Sequence, residues 1–495
     1  MSGFLLAFCK KKLYNRRINH GKAGFIMEHP EYNAPRPPRT RRKKRSPMQI
    51  FIHSYLPPIA VALVLILFII FAIGSVRRGN EKREAQRQES IAQEQSLQQL
   101  QLDWENEAAS LIAQAQKKAD SCLFEEAIAI LDTFSGNPDD FPNLVACRTT
   151  WENGDASLVL WEDVTKIPHL SFNMLVADSA RAFSAKGGYR ESHVTTGEFS
   201  AILTQLHQNG YMLVKLTDVF TTVVDADGNT VVQAKELYLP EGKKPLLLTQ
   251  TQGNYYTKMV DGDKDGLADK DGFGFASRLL VNENGALTCE IVTANGQVNQ
   301  GDFDLIPILE KFIDAHPDFS YKGARAILAV TGYDGIFGYR INPEAVENLG
   351  QEVYEQQLSA LPPVISALKE KGYLFACNTY GNLAYGKLNI MEMKQDLLNW
   401  QTVVTPLLGE TDILVYTRSS DIDDTKDAYR GAKYTALQEA GFHYFMGFCY
   451  NSNPWMNISQ TFIRQGRLMV TGDNLKNRES LFAQLFDAKA VMNPG

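Results

Sequence analysis

Ligands and nucleophiles for catalysis are scarce in this sequence, since its 495 residues include only eight histidines and six cysteines. Five of the histidines lie outside the membrane segment and its basic tail, and they are His169, His193, His207, His316 and His443. Neither a Gly-x-Ser-x-Gly motif nor a Cys/His dyad pattern occurs. These absences argue against the common covalent hydrolase mechanisms and leave few residues for a catalytic metal centre.

Charge is also absent from one long stretch, because no charged residue lies between Arg45 and Arg77. Within it, residues 59–76 are apolar except for Gly74 and Ser75. About 20 apolar residues are enough to span a bilayer. No small-x-small cleavage site ends the run, which argues against a removed signal peptide. The sequence therefore predicts a transmembrane signal anchor over residues 50–76.

Basic residues are concentrated in the first 49 residues, which contain 13 Lys or Arg and two acidic residues. This tail has a net charge of about +11 and the rest of the chain about −18, against −7 for the whole. A basic flank on one side of a membrane span predicts that side to be cytoplasmic. The alternative, a basic patch for nucleic acid or acidic lipid, fits less well, and no nucleic-acid partner is predicted. We expect a single-pass protein of the bacterial cell envelope, with a cytoplasmic tail at 1–49 and its main domain outside.

Residues 77–150 predict a helical stalk that ends in a helical hairpin. Positions 79–101 are almost all Glu, Gln, Arg, Lys and Ser, with few of the apolar positions that a coiled coil needs. Between Trp104 and Phe134, two amphipathic helices resemble one tetratricopeptide-type hairpin. A single such unit cannot bury its own apolar face, so we expect it to pack on the main domain or on another copy.

Residues 151–495 alternate short apolar strands with amphipathic helices, which predicts an α/β fold with a (β/α) barrel, irregular and incompletely closed. The predicted strands are Leu170–Leu175, Met212–Leu216, Pro245–Thr249, Ala326–Val330, Tyr373–Ala376, Ile413–Tyr416 and His443–Gly447. The predicted helices are Thr196–Asn209, Leu305–Ala315, Gln351–Lys371, Met391–Leu408 and Thr425–Ala440. Because active sites of such barrels form at the carboxyl ends of the strands, the residues just after each strand are the candidates.

Two of these strand ends carry polar motifs. One reads Thr-Gln-Thr-Gln-Gly over Thr249–Gly253, and the other reads Asn-Thr-Tyr-Gly-Asn over Asn378–Asn382. They resemble the first two motifs of the polysaccharide deacetylases, Thr-Phe-Asp-Asp-Gly and His-Ser/Thr-x-x-His. The strand that contains Asn173 and the segment Tyr416–Ser420 resemble further, weaker family positions. This resemblance implies a barrel of the polysaccharide deacetylase type, a carbohydrate esterase fold.

The same resemblance implies that the family chemistry is lost. In the family, one Asp is the general base, and a second Asp with two His holds a divalent metal. Here Thr251 stands at the base position, and Gln252, Asn378 and Asn382 stand at the ligand positions. A hydroxyl cannot act as a base near neutral pH, and neutral carboxamides are poor ligands for zinc-like metals. We therefore expect no zinc-like catalytic metal.

Three functions remain open. The first is a pseudoenzyme that binds a cell-wall or surface glycan, with Tyr255, Tyr256 and Tyr380 stacking on sugar rings. In that case the four polar replacements still provide hydrogen bonds, although drift in a disused cleft could also explain them. The second is a metal-dependent de-N-acetylase with non-standard ligands. The third is an envelope scaffold that binds a protein partner, or itself, through the stalk.

A separate acidic segment, residues 261–269, resembles the front half of a calcium loop. Its carboxylates alternate before and after Gly266 and are those of Asp261, Asp263, Asp265 and Asp269. Hard oxygen ligands around a tight glycine turn are typical of calcium sites. Position twelve is Gly272 instead of the Glu of an EF-hand, so an extracellular type of calcium loop is predicted, with a solvated acidic turn as the alternative.

Overall fold

The structure, a computed structural model, describes residue 48 and residues 51–52, 56–184, 186–423 and 429–492. The described residues fall into two units, divided between Gln95 and Ser96. The predicted basic tail, apart from Met48, lies outside the described residues, as do positions 50 and 53–55 of the predicted anchor.

The first unit is helical. Its helix α1 begins at Leu56 and continues beyond the unit to Asp120. Within the described residues, this is the one helix that is long and apolar enough to cross a membrane. Its apolar part is not buried against any other part of the structure, as the predicted membrane anchor requires.

The second unit begins with a cluster of three helices instead of the predicted two. The end of α1 packs with α2, Phe124–Leu131, and with α3, Pro142–Glu152. A lone hairpin could not bury its apolar face. Helix α3 covers that face, because its Leu144 and Trp151 complete the small core. The cluster also contacts the main domain, as predicted: Ser121 Oγ donates to Pro317 O at 2.8 Å, and Lys322 N donates to Ser121 O at 2.7 Å.

The main domain is built on seven parallel strands that close into a barrel. In chain order they are β1 (His169–Phe172), β2 (Lys244–Thr251), β3 (Ile327–Val330), β4 (Leu374–Cys377), β5 (Ile413–Val415), β6 (Tyr444–Phe448) and β7 (Ile463–Val470). Each strand pairs with the next along the chain, and β7 pairs with β1 to close the ring. The α/β barrel is therefore present, and the expectation of incomplete closure is wrong.

Alternation along each strand decides what fills the barrel. On β2, Leu246 and Leu248 join the core that contains the helix side chains, whereas Leu247 joins a second core inside the ring. Because successive strand residues point to opposite faces, every strand except β1 contributes to both cores, and β1 instead places the polar His169 and Ser171 inside the ring. Leu247 and its counterparts Ala329 and Val415 are small or branched and leave room for polar side chains in the lumen.

The longer helices of the main domain cover the outside of the barrel. They are α4 (Thr196–Gln208), α5 (Leu305–Ala315), α6 (Gln351–Lys371), α7 (Ile390–Asn399) and α8 (Ala432–Glu439). Helix α4 begins with a capping box in which Thr195 and Glu198 bond to each other's backbone N–H. Shorter helical segments are Pro138–Asp140, Asp155–Ser157, Val164–Lys166, Ser179–Ala182, Leu216–Val219, Thr257–Val260, Pro317–Phe319, Tyr321–Gly323, Ala345–Leu349, Thr405–Leu408, Gly472–Asn477, Glu479–Leu481 and Ala488–Met492.

Additional strands decorate the ring. Tyr211–Leu213 pairs with β2, and Met456–Ile458 pairs with β7. Separate small sheets are formed by Val159–Leu160 with Tyr238–Leu239, by Phe220–Val224 with Thr230–Ala234, and by Arg278–Val281, Leu287–Val292 and Val298–Gly301. The predicted helix Met391–Leu408 is interrupted by a π-helical turn, Trp400–Val404. Part of the predicted helix Thr425–Ala440 lies outside the described residues.

Candidate functional site

The carboxyl ends of the strands form one edge of the barrel, which we call the mouth. Thr251 is the last residue of β2, and Gln252 follows it. Asn378 directly follows β4, and Asn382 lies four residues further along the same loop. Strand β3 pairs with both β2 and β4, so the two motifs flank β3 at the same edge. The structure thus places all four predicted positions at the mouth.

Two of these side chains are bound to the protein itself. Thr251 Oγ1 donates to Asn173 Oδ1 at 2.8 Å, and Asn378 Nδ2 donates to Val415 O at 2.7 Å. Thr251 is only 5% exposed and Asn378 only 2%. Their polar atoms therefore fasten neighbouring strands together, and a ligand would meet little of either residue.

The other two side chains are more open. Gln252 and Asn382 are both partly exposed, and both have a left-handed backbone, with φ of 60° and 54°. Among the described residues, Gln252 has no hydrogen-bond partner for its carboxamide. Asn382 faces the hydroxyl of Tyr333. Of the four predicted positions, Gln252 and Asn382 are thus the two whose carboxamide groups a ligand at the mouth could reach.

Backbone strain is concentrated at the mouth. Of the ten non-glycine residues with positive φ in the described part of the chain, seven lie in loops that follow β2, β3, β4 and β5. They are Gln252, Tyr255, Phe337, Thr379, Asn382, Arg418 and Ser419. Each costs about 1–2 kcal/mol relative to an ordinary conformation, and such residues cluster at functional sites. The surrounding structure must therefore hold these loops in place.

Buried polar residues provide that support. The Asp396 carboxylate, from α7, accepts hydrogen bonds from Tyr380 N, Gly381 N and Tyr385 Oη at 2.7–2.8 Å. Burial raises the Asp396 pKa, and these three hydrogen bonds oppose the rise. Asn254 joins the loops after β2 and β3, because it accepts from Thr331 N at 3.0 Å and donates to Thr331 O at 2.7 Å.

The predicted stacking tyrosines need correction. Tyr255 and Tyr256 are fully buried, and Tyr380 is only 8% exposed. The left-handed turn at Tyr255 directs both rings into the core, so neither ring has a free face for a sugar. Burial accordingly raises the pKa of both phenols.

Tyr333, three residues after β3, is the aromatic residue that the sequence did not identify. It is half-buried, and its ring stacks on that of Tyr256 with centroids 5.5 Å apart. Its pKa is raised, chiefly by burial. Its position just after a predicted strand was the available signal, and the Thr-Gly-Tyr sequence there matched no family motif.

Positive charge lies at and below the mouth. Arg418 is exposed after β5 and has no ion-pair partner among the described residues. Arg467, on β7, is fully buried in the lumen, and burial lowers its pKa to about 9. Its guanidinium donates to Ser171 Oγ at 2.8 Å, Tyr416 O at 3.0 Å and Gly447 O at 3.2 Å, and it contacts no carboxylate in the part of the chain that the structure describes.

The described histidines are either buried or distant from the mouth. His169 begins β1 at the other end of the lumen, with Nε2 2.6 Å from Thr249 Oγ1 and Nδ1 3.0 Å from Gln465 Oε1. Burial lowers the pKa of His169 to about 3 and that of His193 to about 4. Within the described residues, convergent sets of three His or carboxylate ligand atoms occur at His207, His316 and Asp318 and at Asp261, Asp263 and Asp265. Neither set includes a family position.

The predicted calcium loop is only partly assembled as expected. Carboxylate oxygens of Asp261, Asp263 and Asp265 lie within 4.8 Å of one another. Asp269 instead accepts hydrogen bonds from Gly262 N and Asp263 N, each at 3.0 Å. Asp261 shapes the turn in the same way, since it accepts from Lys264 N and Gly266 N, and what separates Asp269 from the other three carboxylates is that it does not converge with them.

Comparison with known proteins finds similarity in structure alone. No family model matches the chain, and no curated protein matches it in sequence. The deacetylase PplD of Streptococcus pyogenes aligns with 65% of this chain and 98% of its own, at 13% identity and a TM-score of 0.33. A de-N-acetylase from Aggregatibacter actinomycetemcomitans aligns with 65% of this chain and 99% of its own, at 12% identity and a TM-score of 0.34. The closed seven-strand ring itself defines the fold.

Proposed function

We propose that this protein is a membrane-anchored, glycan-binding protein whose deacetylase-like mouth binds sugar without hydrolysing it. The observation that carries the proposal is the strained, hydrogen-bonded frame of the mouth around side chains that lack charge for catalysis. A left-handed non-glycine residue costs about 1–2 kcal/mol of conformational energy, so the seven at this edge together cost several kcal/mol. Drift in a disused cleft would tend to relax that strain.

The proposed loss of catalysis follows from what amide hydrolysis needs. A metal polarises the carbonyl and its attacking water, and a base with a suitable pKa takes the proton. Thr251 and Asn378 use their polar atoms on Asn173 and Val415. Gln252 and Asn382 are neutral, so these four positions provide neither a metal-binding charge nor a base.

The proposed ligand follows from what the mouth retains. Carboxamides donate and accept hydrogen bonds at once, which suits sugar hydroxyls and N-acetyl groups. Gln252 and Asn382 provide such groups, and the partly exposed ring of Tyr333 provides an aromatic surface. Arg418 adds a positive charge at the rim, which would favour a glycan that carries carboxylate groups.

Binding and turnover can be measured together on the full-length chain in detergent. We expect N-acetylglucosamine oligomers to bind with no release of acetate. Removing one stacking or hydrogen-bonding group costs about 1.5 kcal/mol, or about tenfold in affinity, so Tyr333→Ala and Gln252→Ala should each weaken binding by that factor. Tyr238→Ala changes an exposed tyrosine outside the mouth and is the control. Metal-dependent acetate release would favour the active-enzyme alternative, and equal affinity in all variants would remove the mouth from the proposal.

The proposed location is the bacterial cell membrane, with the amino terminus in the cytoplasm and the main domain outside. The support is the apolar, unburied part of α1 together with the basic tail. Protease added to spheroplasts should degrade the chain beyond about residue 80. Protection of the main domain until lysis would contradict both the topology and a ligand in the cell wall.

We also propose calcium as a ligand of the loop at residues 261–269. The three carboxylates have oxygens within 4.8 Å of one another, and a shared cation would relieve a repulsion of about 1 kcal/mol for each solvated pair. Extracellular calcium sites of this kind bind weakly, with dissociation constants of about 10⁻⁴–10⁻³ M. A stabilising effect of millimolar calcium is therefore the expected observation.

A further inference from the structure

A second set of ligand-type side chains lies outside the barrel, and we call it the His207 cluster. It consists of His207 in the last turn of α4, His316 directly after α5, and Asp318 in the turn Pro317–Phe319. One ligand atom from each residue lies within 4.8 Å of the others. Helix α4 precedes the strand Tyr211–Leu213 and α5 precedes β3, so the cluster lies at the end of the barrel opposite the mouth.

The three side chains are in direct contact. His207 Nε2 lies 2.8 Å from Asp318 Oδ2 and 3.0 Å from Asp318 Oδ1. The rings of His207 and His316 are 4.5 Å apart between centroids. His316 has no hydrogen-bond partner on its ring nitrogens among the described residues. An imidazole beside two other potential ligands, with no protein partner of its own, is available to coordinate.

The ligand types select the metal. Two imidazoles and one carboxylate suit zinc and its neighbours cobalt and nickel, whereas calcium prefers oxygen ligands alone. We infer that the His207 cluster binds one divalent transition metal of the zinc class. Tetrahedral bonds of about 2.0–2.2 Å place ligand atoms about 3.4 Å apart. Atoms already within 4.8 Å need only small side-chain movements to reach that geometry.

Neighbouring charges and access are compatible with this site. Lys243 Nζ lies 2.7 Å from Asp318 Oδ2 and is the charge that opposes a cation. The same contact fixes the carboxylate and leaves Oδ1 for the metal, since metal-binding carboxylates are commonly hydrogen-bonded in this way. The side chains of His207 and Asp318 are 23% and 40% exposed, so a metal ion can reach them. His316 also borders a groove of about 440 Å³, which gives a water or small ligand room at an open coordination position.

The inference goes beyond the proposed glycan binding and is tested separately from it. Full-length protein, purified in detergent without a polyhistidine tag and stripped of metal, is titrated with Zn²⁺ or Co²⁺. We expect one ion per chain, a visible Co²⁺ absorption band and a higher melting temperature. His316→Gln removes a ligand without removing a hydrogen bond and should weaken binding at least about 100-fold, because even outer partners of metal ligands contribute 10–100-fold.

The matched control is His443→Gln, another partly buried histidine, which should bind the metal like the wild type. His207→Gln is the second ligand variant and should also lose binding. No metal bound by the wild type, or equal affinity in His316→Gln, would overturn the inference. Metal and acetate release that both persist in His316→Gln would contradict the proposed function as well, whereas metal loss with glycan binding intact supports both.

Discussion

The mouth of the barrel and the His207 cluster divide between them what a metallohydrolase combines in one place. The mouth has the strained loops typical of a functional site, but its side chains are hydroxyl and carboxamide groups. The His207 cluster has two imidazoles and a carboxylate on ordinary helix ends at the opposite side of the barrel. The difference shows that a strained backbone and a set of side chains of metal-ligand type can occur at separate places in one barrel.

The largest effect is expected when charged residues and metal ligands are introduced at the mouth. Thr251→Asp, Gln252→Asp, Asn378→His and Asn382→His are combined, with His207→Gln and His316→Gln to remove the other cluster. We expect one zinc-class ion per chain by elemental analysis, and stability lower by several kcal/mol without metal, since two buried hydrogen-bonding residues are replaced. Activity need not follow, because the neighbour of position 251 is the amide oxygen of Asn173, which provides no further imidazole. A folded variant that binds no metal would show that the mouth does not have the geometry of a metal site.

The next test uses the two buried histidines, His169 and His193. His169 is fully buried, and its pKa falls from 6.5 to about 3, so the folded state holds it neutral. Its contribution to stability is complete above pH 6.5 and is lost as pH falls toward 3, by on the order of 4 kcal/mol in free energy of unfolding. Buried His193, with a pKa of about 4, acts in the same direction.

Replacing His169 with Gln should therefore flatten the pH dependence of the urea unfolding free energy between pH 6.5 and 3. An unchanged profile for His169→Gln would mean that the His169 ring is solvated in the folded state.

A smaller effect is expected when Asp396, which supports the loop after β4 at the mouth, is replaced. Asp396→Ala leaves Tyr380 N, Gly381 N and Tyr385 Oη without their acceptor and should cost about 3 kcal/mol of stability. Because these bonds hold the loop with Asn382, glycan affinity should fall as well. Asp396→Asn keeps one acceptor oxygen and should fall between Ala and the wild type. Loss of stability with unchanged glycan affinity would separate this loop from binding.

The smallest effect is expected from calcium. At a dissociation constant of about 10⁻⁴ M, 1 mM calcium stabilises by about 1.4 kcal/mol, which should raise the melting temperature by a few degrees. Asp263→Ala removes one of the three convergent carboxylates and should abolish the shift. If the variant and the wild type respond alike, the loop is only an acidic turn.

Six of the seven barrel strands follow from the sequence, because each is a short apolar run followed by a turn. The seventh, Ile463–Val470, was missed because Arg464, Gln465 and Arg467 make it appear polar. In the structure all three are buried, and Arg467 and Gln465 bond to groups inside the barrel. Polar side chains inside a closed barrel have no local pattern that separates them from an exposed loop.

The candidate site was also predictable only in part. The positions Thr251 and Asn378 follow from strand ends and motif spacing, both of which are local properties. The inward rings of Tyr255 and Tyr256 depend on one left-handed residue, and sequence spacing does not specify it. The His207 cluster joins residues about 110 positions apart, which only the packing of α4 against α5 brings together.

The attachment of the three-helix cluster has a consequence for the order of assembly. Ser121 bonds to Pro317, and the two residues are 196 positions apart along the chain. During synthesis, this contact cannot form until β1, β2, α4 and α5 have all been made, because they precede Pro317 in the chain. Contacts between residues that are distant in sequence also form slowly. The apolar face around Cys122 must therefore stay uncovered during this interval, and a chaperone that shields it would increase the yield of folded protein.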